Sequence, residues 1–231
     1  MLESVDFQPL WITLQVALYT TVILIVIGTP LALWMAQIKG SKKALFEAMV
    51  ALPLVLPPTV LGFYLLVSIG PEGPIGELWA SFGFAPLTFS MTGLVIGSVL
   101  YSLPFAVQPL MQGFEQLGKR PVDVAATLGA GSIDRFFSII LPLTRRHYLV
   151  AATLTFAHTV GEFGVILMIG GNIPGVTQVA SIAVYDHVEA MEYSQAHVLS
   201  AIMLVMSLLV LTIVYGLNRK MEIKGTKGGE R

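Results

Sequence analysis

The 231-residue chain contains no cysteine, which excludes disulfides, thiolate nucleophiles and cysteine-held zinc or iron–sulfur sites. Charge is almost as scarce. Only 12% of residues are Asp, Glu, Lys or Arg, against about 25% in an ordinary soluble domain. That is too little charge to cover a water-soluble fold of this size, so a cytosolic enzyme, a disordered linker and a secreted scaffold are excluded together. Catalytic motifs are missing as well. No Gly-x-x-x-x-Gly-Lys-(Ser/Thr) phosphate loop, no Gly-x-Ser-x-Gly elbow and no His-Glu-x-x-His pair occurs. The chain cannot hydrolyse ATP by the first route, and nothing marks an intramembrane enzyme.

Apolar length is what the chain has in quantity. Hydrophobic residues make up 55% of it, with a mean hydropathy of +0.79. A helix needs roughly 20 apolar residues to cross about 30 Å of hydrocarbon. Residues 10–36, 48–69, 91–114 and 198–217 carry no charge, and 148–171 carries only Glu162. These runs are continuously apolar rather than alternating, which fits helices and not barrel strands. The expected fold is an all-α integral membrane protein with five crossings. The first run lacks the basic leader and cleavage site of a signal peptide.

The basic residues orient it. Lys39, Lys42 and Lys43 follow the first run; Lys119, Arg120, Arg135, Arg145 and Arg146 follow the third; Arg219, Lys220, Lys224, Lys227 and Arg231 follow the fifth. Five crossings put all 13 on one side, which the positive-inside rule makes cytoplasmic. The N-terminus is then expected outside and the C-terminus inside. One domain is expected over 1–217, with a cytoplasmic loop at 115–147 and a flexible basic tail at 218–231. The opposite side carries Glu3, Asp6, Glu72, Glu77, Asp186, Glu189 and Glu192, and no cation. Two readings fit it: a by-product of the basic bias, or a docking surface for a soluble partner.

Several runs contain helix breakers. Pro53, Pro57 and Pro58 predict a broken second span, and Pro104, Pro109 and the Gly28/Pro30 pair predict the same in the third and first. Residues 71–90 read as an external loop with interfacial aromatics. In the fourth run Thr155, His158, Thr159 and Glu162 share a face by helical spacing, beside Gly161 and Gly164. An intramembrane carboxylate marks function by default, with His158 as its expected partner. A buried pair fixing helix packing is the competing reading, and two ligands one turn apart do not complete a metal shell.

The loop after the third run is the most specific feature. Pro121 suits a first helical turn, Ala125 and Ala126 permit close packing, and Gly129 and Gly131 break the helix. Ser132 is the expected N-cap of a second short helix that Pro142 ends. Asp123-Val124-Ala125, then Gly129, Ile139 and Leu141-Pro142, stand at the spacing of the Glu-Ala-Ala loop. On that ground the chain resembles permease subunits of bacterial ABC importers, with Asp and Val as departures that keep charge and apolarity. Gly161-Glu162-Phe163-Gly164, followed by Asn172-Ile173-Pro174-Gly175-Val176-Thr177, narrows the resemblance to the molybdate permease family with its sulfate and tungstate relatives. Residues 52–66 are most similar to the second span of the molybdate branch.

The resemblance implies an importer type I permease fold and a coupling helix that docks a cytoplasmic ATPase dimer. Asp123, Val124, Ala125, Ala126, Gly129, Gly131, Asp134, Arg135, Ile139, Leu141 and Pro142 would form that coupling surface. ATP and Mg²⁺ belong to the partner; this chain is expected to bind no cofactor or metal. Five helices are few for enclosing an anion path, so two copies are expected around a shared axis. Path or gate candidates are Pro53, Pro57, Pro58, Thr155, His158, Thr159, Gly161, Glu162 and Gly164. An external binding protein is expected to dock near Asn172, Pro174, Gly175, Thr177, Asp186, Glu189 and Glu192. Nucleic acid is not an expected partner. No Lys or Arg lies within the spans, so the path is expected to bind its oxyanion weakly and to leave selectivity to the binding protein. A channel or secondary transporter would also use broken helices, but it would keep flux without residues 121–138.

Overall fold

The computed structural model describes residues 6–227, and all regular structure among them is helical. In chain order the helices are α1 (Gln8–Gln37), α2 (Ser41–Val55), α3 (Pro58–Ile69), α4 (Pro74–Ser81), α5 (Met91–Leu117) and α6 (Arg120–Thr127). There follow α7 (Ser132–Arg135), α8 (Leu141–Val160), α9 (Gly164–Gly170), α10 (Ala180–Glu189) and α11 (Tyr193–Lys227). A π-helical turn, Phe136–Ile140, joins α7 to α8.

Three segments are long and apolar enough to cross a bilayer alone: Gln8–Gln37, Met91–Leu117 and Tyr193–Val214. Two bent pairs add to them. Ser41–Val55 with Pro58–Ser81 turns by 105°, and Ser132–Val160 with Gly164–Gly170 turns by 63°; five crossings result when each pair counts as one. The expected external loop 71–90 contains the short helix α4, whose Trp79 donates its indole N–H to the Ala85 carbonyl at 3.0 Å.

Proline does not decide where the breaks fall. Pro30 sits inside an unbroken α1, and Pro104 and Pro109 sit inside an unbroken α5, so the breaks expected in the first and third spans do not occur. A single proline costs one backbone bond and a clash, which a membrane helix tolerates when neighbours re-satisfy the freed groups. The tandem Pro57-Pro58 is different. It removes two adjacent donors and bars the residue before each from helical geometry, and α2 ends at Val55 in front of it. The fourth span breaks without any proline, at Gly161–Phe163.

The core is built where α1, α5 and α8 pack. Ala32, Met35, Val107, Leu110, Met111, Phe114 and Ala151 form its largest buried cluster. Several threonines inside the helices are satisfied locally: Thr13, Thr21, Thr29 and Thr153 each donate to the carbonyl four residues earlier. Helix α11 lies at the rim, with Leu204, Val205, Leu208, Leu209 and Ile213 exposed, as lipid contact requires. Its backbone stays helical to Lys227, past the point where a flexible tail is expected; residues 228–231 lie outside the described ones.

Candidate functional site

At the basic end of the molecule, α6 and α7 form the expected helix–turn–helix. Gly129, at φ +89°, ends α6. Its N–H donates to Ala126 and the Ala130 N–H to Ala125, both at 3.0 Å. That pairing is a Schellman closure, which needs the left-handed conformation that glycine adopts without strain. Ser132 is the first residue of α7 and not its cap; Gly131 takes the cap position without a side-chain bond. Pro142 does not end the second helix either. The chain runs helically through it because the π turn widens the ladder there, with the Leu141 N–H reaching the Phe136 carbonyl.

The residues expected to form the coupling surface divide by exposure. Ala125 is buried, and Asp123, Val124, Ala126, Gly129, Gly131, Asp134 and Pro142 are exposed. Arg135, Ile139 and Leu141 are half-buried. Asp134 accepts a hydrogen bond from Ser138 at 2.8 Å, and Arg135 donates to Ser132 at 3.1 Å, so the second helix is braced from within. Asp123 and Arg135 also line a cleft of about 430 Å³ with Phe114 and Ile140, between the loop and the ends of α1 and α5. Of the large side chains that dominate this surface, Val124 is among the expected residues, while Leu128, 83% exposed, Ile133, 76% exposed, and Phe137 are not. Large apolar residues in a loop otherwise charged or small are the signal that could have found them.

Within the membrane the two breaks meet. A Cβ on Gly164 would lie 2.9 Å from the Pro58 Cβ, and one on Gly62 would lie 2.8 Å from the Met168 Cβ. The half-helices α3 and α9, each following a break, thus pack at glycine distance. The Glu162 carbonyl, freed where α8 stops, accepts the Ser181 hydroxyl of α10 at 2.6 Å. Pro53, Pro57 and Pro58 lie on the α2–α3 side of this junction; Gly161, Glu162 and Gly164 supply the other.

Glu162 and His158 are not partners. The helix ends at Val160, so the spacing that would align them no longer applies. His158 Nδ1 shares a hydrogen bond with Ser102 Oγ at 2.9 Å, and its ring stacks on Phe105 at 4.1 Å. Ser102 also meets Thr159 Oγ at 3.0 Å, which ties α5 to α8. Thr155 is buried, its hydroxyl without a partner. Glu162 is 3% exposed and neither of its carboxyl oxygens has a hydrogen-bond partner; the buried Ser98 hydroxyl, similarly unsatisfied, is its polar neighbour. Among the described residues no cation is placed against it, so its shape and polarity, rather than its charge, are expected to matter. Glu162→Gln is expected to keep uptake within about twofold, whereas Glu162→Leu, which sets a purely hydrocarbon side chain against the buried Ser98 hydroxyl, loses far more. Equal losses in a transport assay on both variants would contradict this.

On the acidic side, Asn172 and Gln178 donate to the same Asp186 oxygen at 2.6 and 2.9 Å and hold the 172–178 loop on α10. Thr177, expected to be a docking residue, is fully buried; it donates to the Gly170 carbonyl and accepts the Ile173 N–H. It shapes the loop and has no surface to offer. Pro174 and Gly175 are exposed at the loop tip. Tyr185 donates to Glu189, and that carboxylate holds the phenol above its ordinary range; His187 pairs with Glu192 at 2.8 Å.

A helical membrane scaffold with broken spans and an exposed coupling loop is the architecture of transporter permeases. Residues 28–223 match the family described as "Binding-protein-dependent transport system inner membrane component", and the chain belongs to that family. It is a multi-pass membrane protein. Over 218 residues it is 54% identical to the molybdenum transport system permease protein ModB of Azotobacter vinelandii, covering 94% of this chain and 96% of that one. The Escherichia coli (strain K12) ModB is 35% identical over 190 residues, 82% of each chain. A probable sulfate transport permease, cysT of Chlorella vulgaris, is 30% identical over 203 residues, 88% of this chain and 76% of that one. In fold it is similar to a chain of a bacterial ABC transporter importing the polysaccharide alginate, with TM-score 0.73 and 14% identity over 93% of this chain and 79% of that one.

Proposed function

We propose that this chain is the permease subunit of an ATP-driven importer that carries molybdate into the cytoplasm. The observation that carries the substrate is the 54% identity, over almost the whole of both chains, to a molybdenum permease; the sulfate relative stands at 30%. In this reading the basic side is cytoplasmic and the N-terminus lies outside. Two copies of the chain surround the path. An ATPase dimer, using ATP and Mg²⁺, docks on the apolar face of α6 and α7, and an external binding protein delivers the anion to the acidic side. Coupling is mechanical: closure of the ATPase pushes the loop, and the broken spans supply the hinges.

Uptake of labelled molybdate by the reconstituted complex, with its ATPase and binding protein, tests the substrate. Tungstate, a tetrahedral dianion of closely similar size, is expected to compete within about tenfold of molybdate, and sulfate only at roughly 100-fold higher concentration. Sulfate competing on a par with molybdate would move the chain to the sulfate branch.

A further inference from the structure

The span 91–114 carries no charge, yet one face of α5 presents three glutamines at four-residue intervals: Gln108, Gln112 and Gln116. That spacing stacks the amides in a column roughly 12 Å long. They line a cavity of about 640 Å³ together with Arg146 and His147, at the start of α8. Gln112 and Gln116 are exposed and Gln108 is half-buried. The exposed face of α11, in contrast, is mostly aliphatic, with Leu204, Val205, Leu208 and Leu209 around a single Ser207. A bare amide facing hydrocarbon without a partner costs several kcal/mol, so the glutamine face must border water or protein. The column starts next to Phe105, whose ring stacks on His158 at the α5–α8 tie, and runs to the basic end of the molecule. His147 is set into the wall: a Cβ on Gly113 would fall 2.5 Å from its Cγ, so only a glycine leaves room for the ring.

The lining suits one kind of cargo. Carboxamides offer N–H donors to an oxyanion without a fixed charge that would trap it, and among the described residues no carboxylate lines the cavity. The volume is that of about twenty waters at roughly 30 Å³ each, room for a tetrahedral oxyanion that keeps part of its hydration shell. We propose that this groove is the inner half of the translocation path, an amide-lined vestibule that passes a partly hydrated tetrahedral oxyanion to the Arg146 end. It rests on the importer reading above and adds to it the residues that touch the cargo. The path is thereby free of cations within the spans, which lets the anion pass toward the cytoplasm without tight binding on the way.

The absence of native cysteine allows a clean test. Single cysteines are placed at 108, 112 and 116, with Leu208→Cys on α11 as the control, in proteoliposomes holding the complete transporter. A negatively charged methanethiosulfonate is expected to label 108 and 112 at least about tenfold faster than 208, and millimolar molybdate to slow that labelling at least about threefold. Labelling as slow as at 208 overturns the vestibule, because the face is then covered by lipid or by dry protein. Fast labelling that molybdate leaves unchanged, in a transporter that carries molybdate, overturns it too. Should uptake prove to be of sulfate, the substrate reading falls while protection by sulfate still upholds the vestibule. A second measurement needs no labelling. Gln112→Glu keeps the shape and adds a repelling charge, so it should lower uptake more than about tenfold where Gln112→Asn loses less than about threefold; equal effects count against the proposal.

Discussion

Replacing Leu128 and Ile133 together by aspartate is expected to abolish ATP-driven uptake, with docking of the ATPase weakened by roughly 100- to 1,000-fold. These are two of the most exposed large apolar side chains among the described residues, at 83% and 76%, and they flank the Gly129 turn. On a loop that lies at the basic surface, such residues stay exposed only where a partner covers them. Apolar anchors that fill a partner's cleft each contribute about 2 kcal/mol or more, and a buried carboxylate adds a desolvation cost. Neither residue packs into this chain, so the variant should insert and fold normally. Co-purification of the ATPase with the permease, and uptake into vesicles, both check it. Normal uptake in the double variant would show that the coupling surface lies elsewhere. The turn itself gives a graded companion: Gly129→Val puts a β-branched residue at φ +89°, at a cost of about 1–3 kcal/mol, and should weaken coupling less than loss of the anchors.

The parts of the architecture legible in the sequence are those set by covalent or bulk constraints. Hydrocarbon thickness dictates the length of an uncharged run, so the crossings could be located from composition alone. Pro57-Pro58 breaks its helix whatever surrounds it, and Gly129 marks the end of α6 because its turn requires a positive φ. The remainder depends on contacts between distant residues. Gly161 offers α8 a place to stop after Val160, but the stop is held by Ser181 on the Glu162 carbonyl and by Gly164 against Pro58. For the same reason His158 could not be assigned correctly. Spacing along a helix points it to Glu162, but α8 ends before Glu162 and takes that carboxylate off the shared face, while Ser102 on α5 meets the ring nitrogen. Pro30, Pro104 and Pro109 mislead in the opposite direction, because each loses one bond that a packed neighbourhood can absorb. The glutamine column was visible as spacing, but its meaning needed the cavity beside it.

Within the Gly-Glu-Phe-Gly element the two glycines should respond oppositely to alanine. Gly164→Ala is expected to impair transport severely and Gly161→Ala hardly at all, although the two stand three residues apart. At Gly161 the backbone has an ordinary φ of −88°, and an added Cβ would find nothing nearer than the His158 and Ala157 carbonyl oxygens at 3.8 and 3.9 Å. At Gly164 the added Cβ would lie 2.9 Å from the Pro58 Cβ and 3.6 Å from the Thr59 nitrogen, both rigid parts of the start of α3. Proline cannot rotate away, so α9 must move off α3 at a cost of about 1–3 kcal/mol. Gly62→Ala attacks the same seam one turn further along, 2.8 Å from the Met168 Cβ and 3.3 Å from the Val165 Cα. The pair Gly62→Ala and Gly164→Ala should therefore be less than additive, since either one already opens the seam. Uptake and the thermal midpoint of the detergent-purified chain measure both effects. A Gly161→Ala variant as damaged as Gly164→Ala would mean that the element is required for its flexibility; the expected asymmetry would mean that it is required for close contact between the two broken spans. In the proposed mechanism close contact has a mechanical consequence: a tilt of α8 driven from the loop would reach α9 and, through Gly164 and Gly62, α3, so that both breaks would move as one hinge.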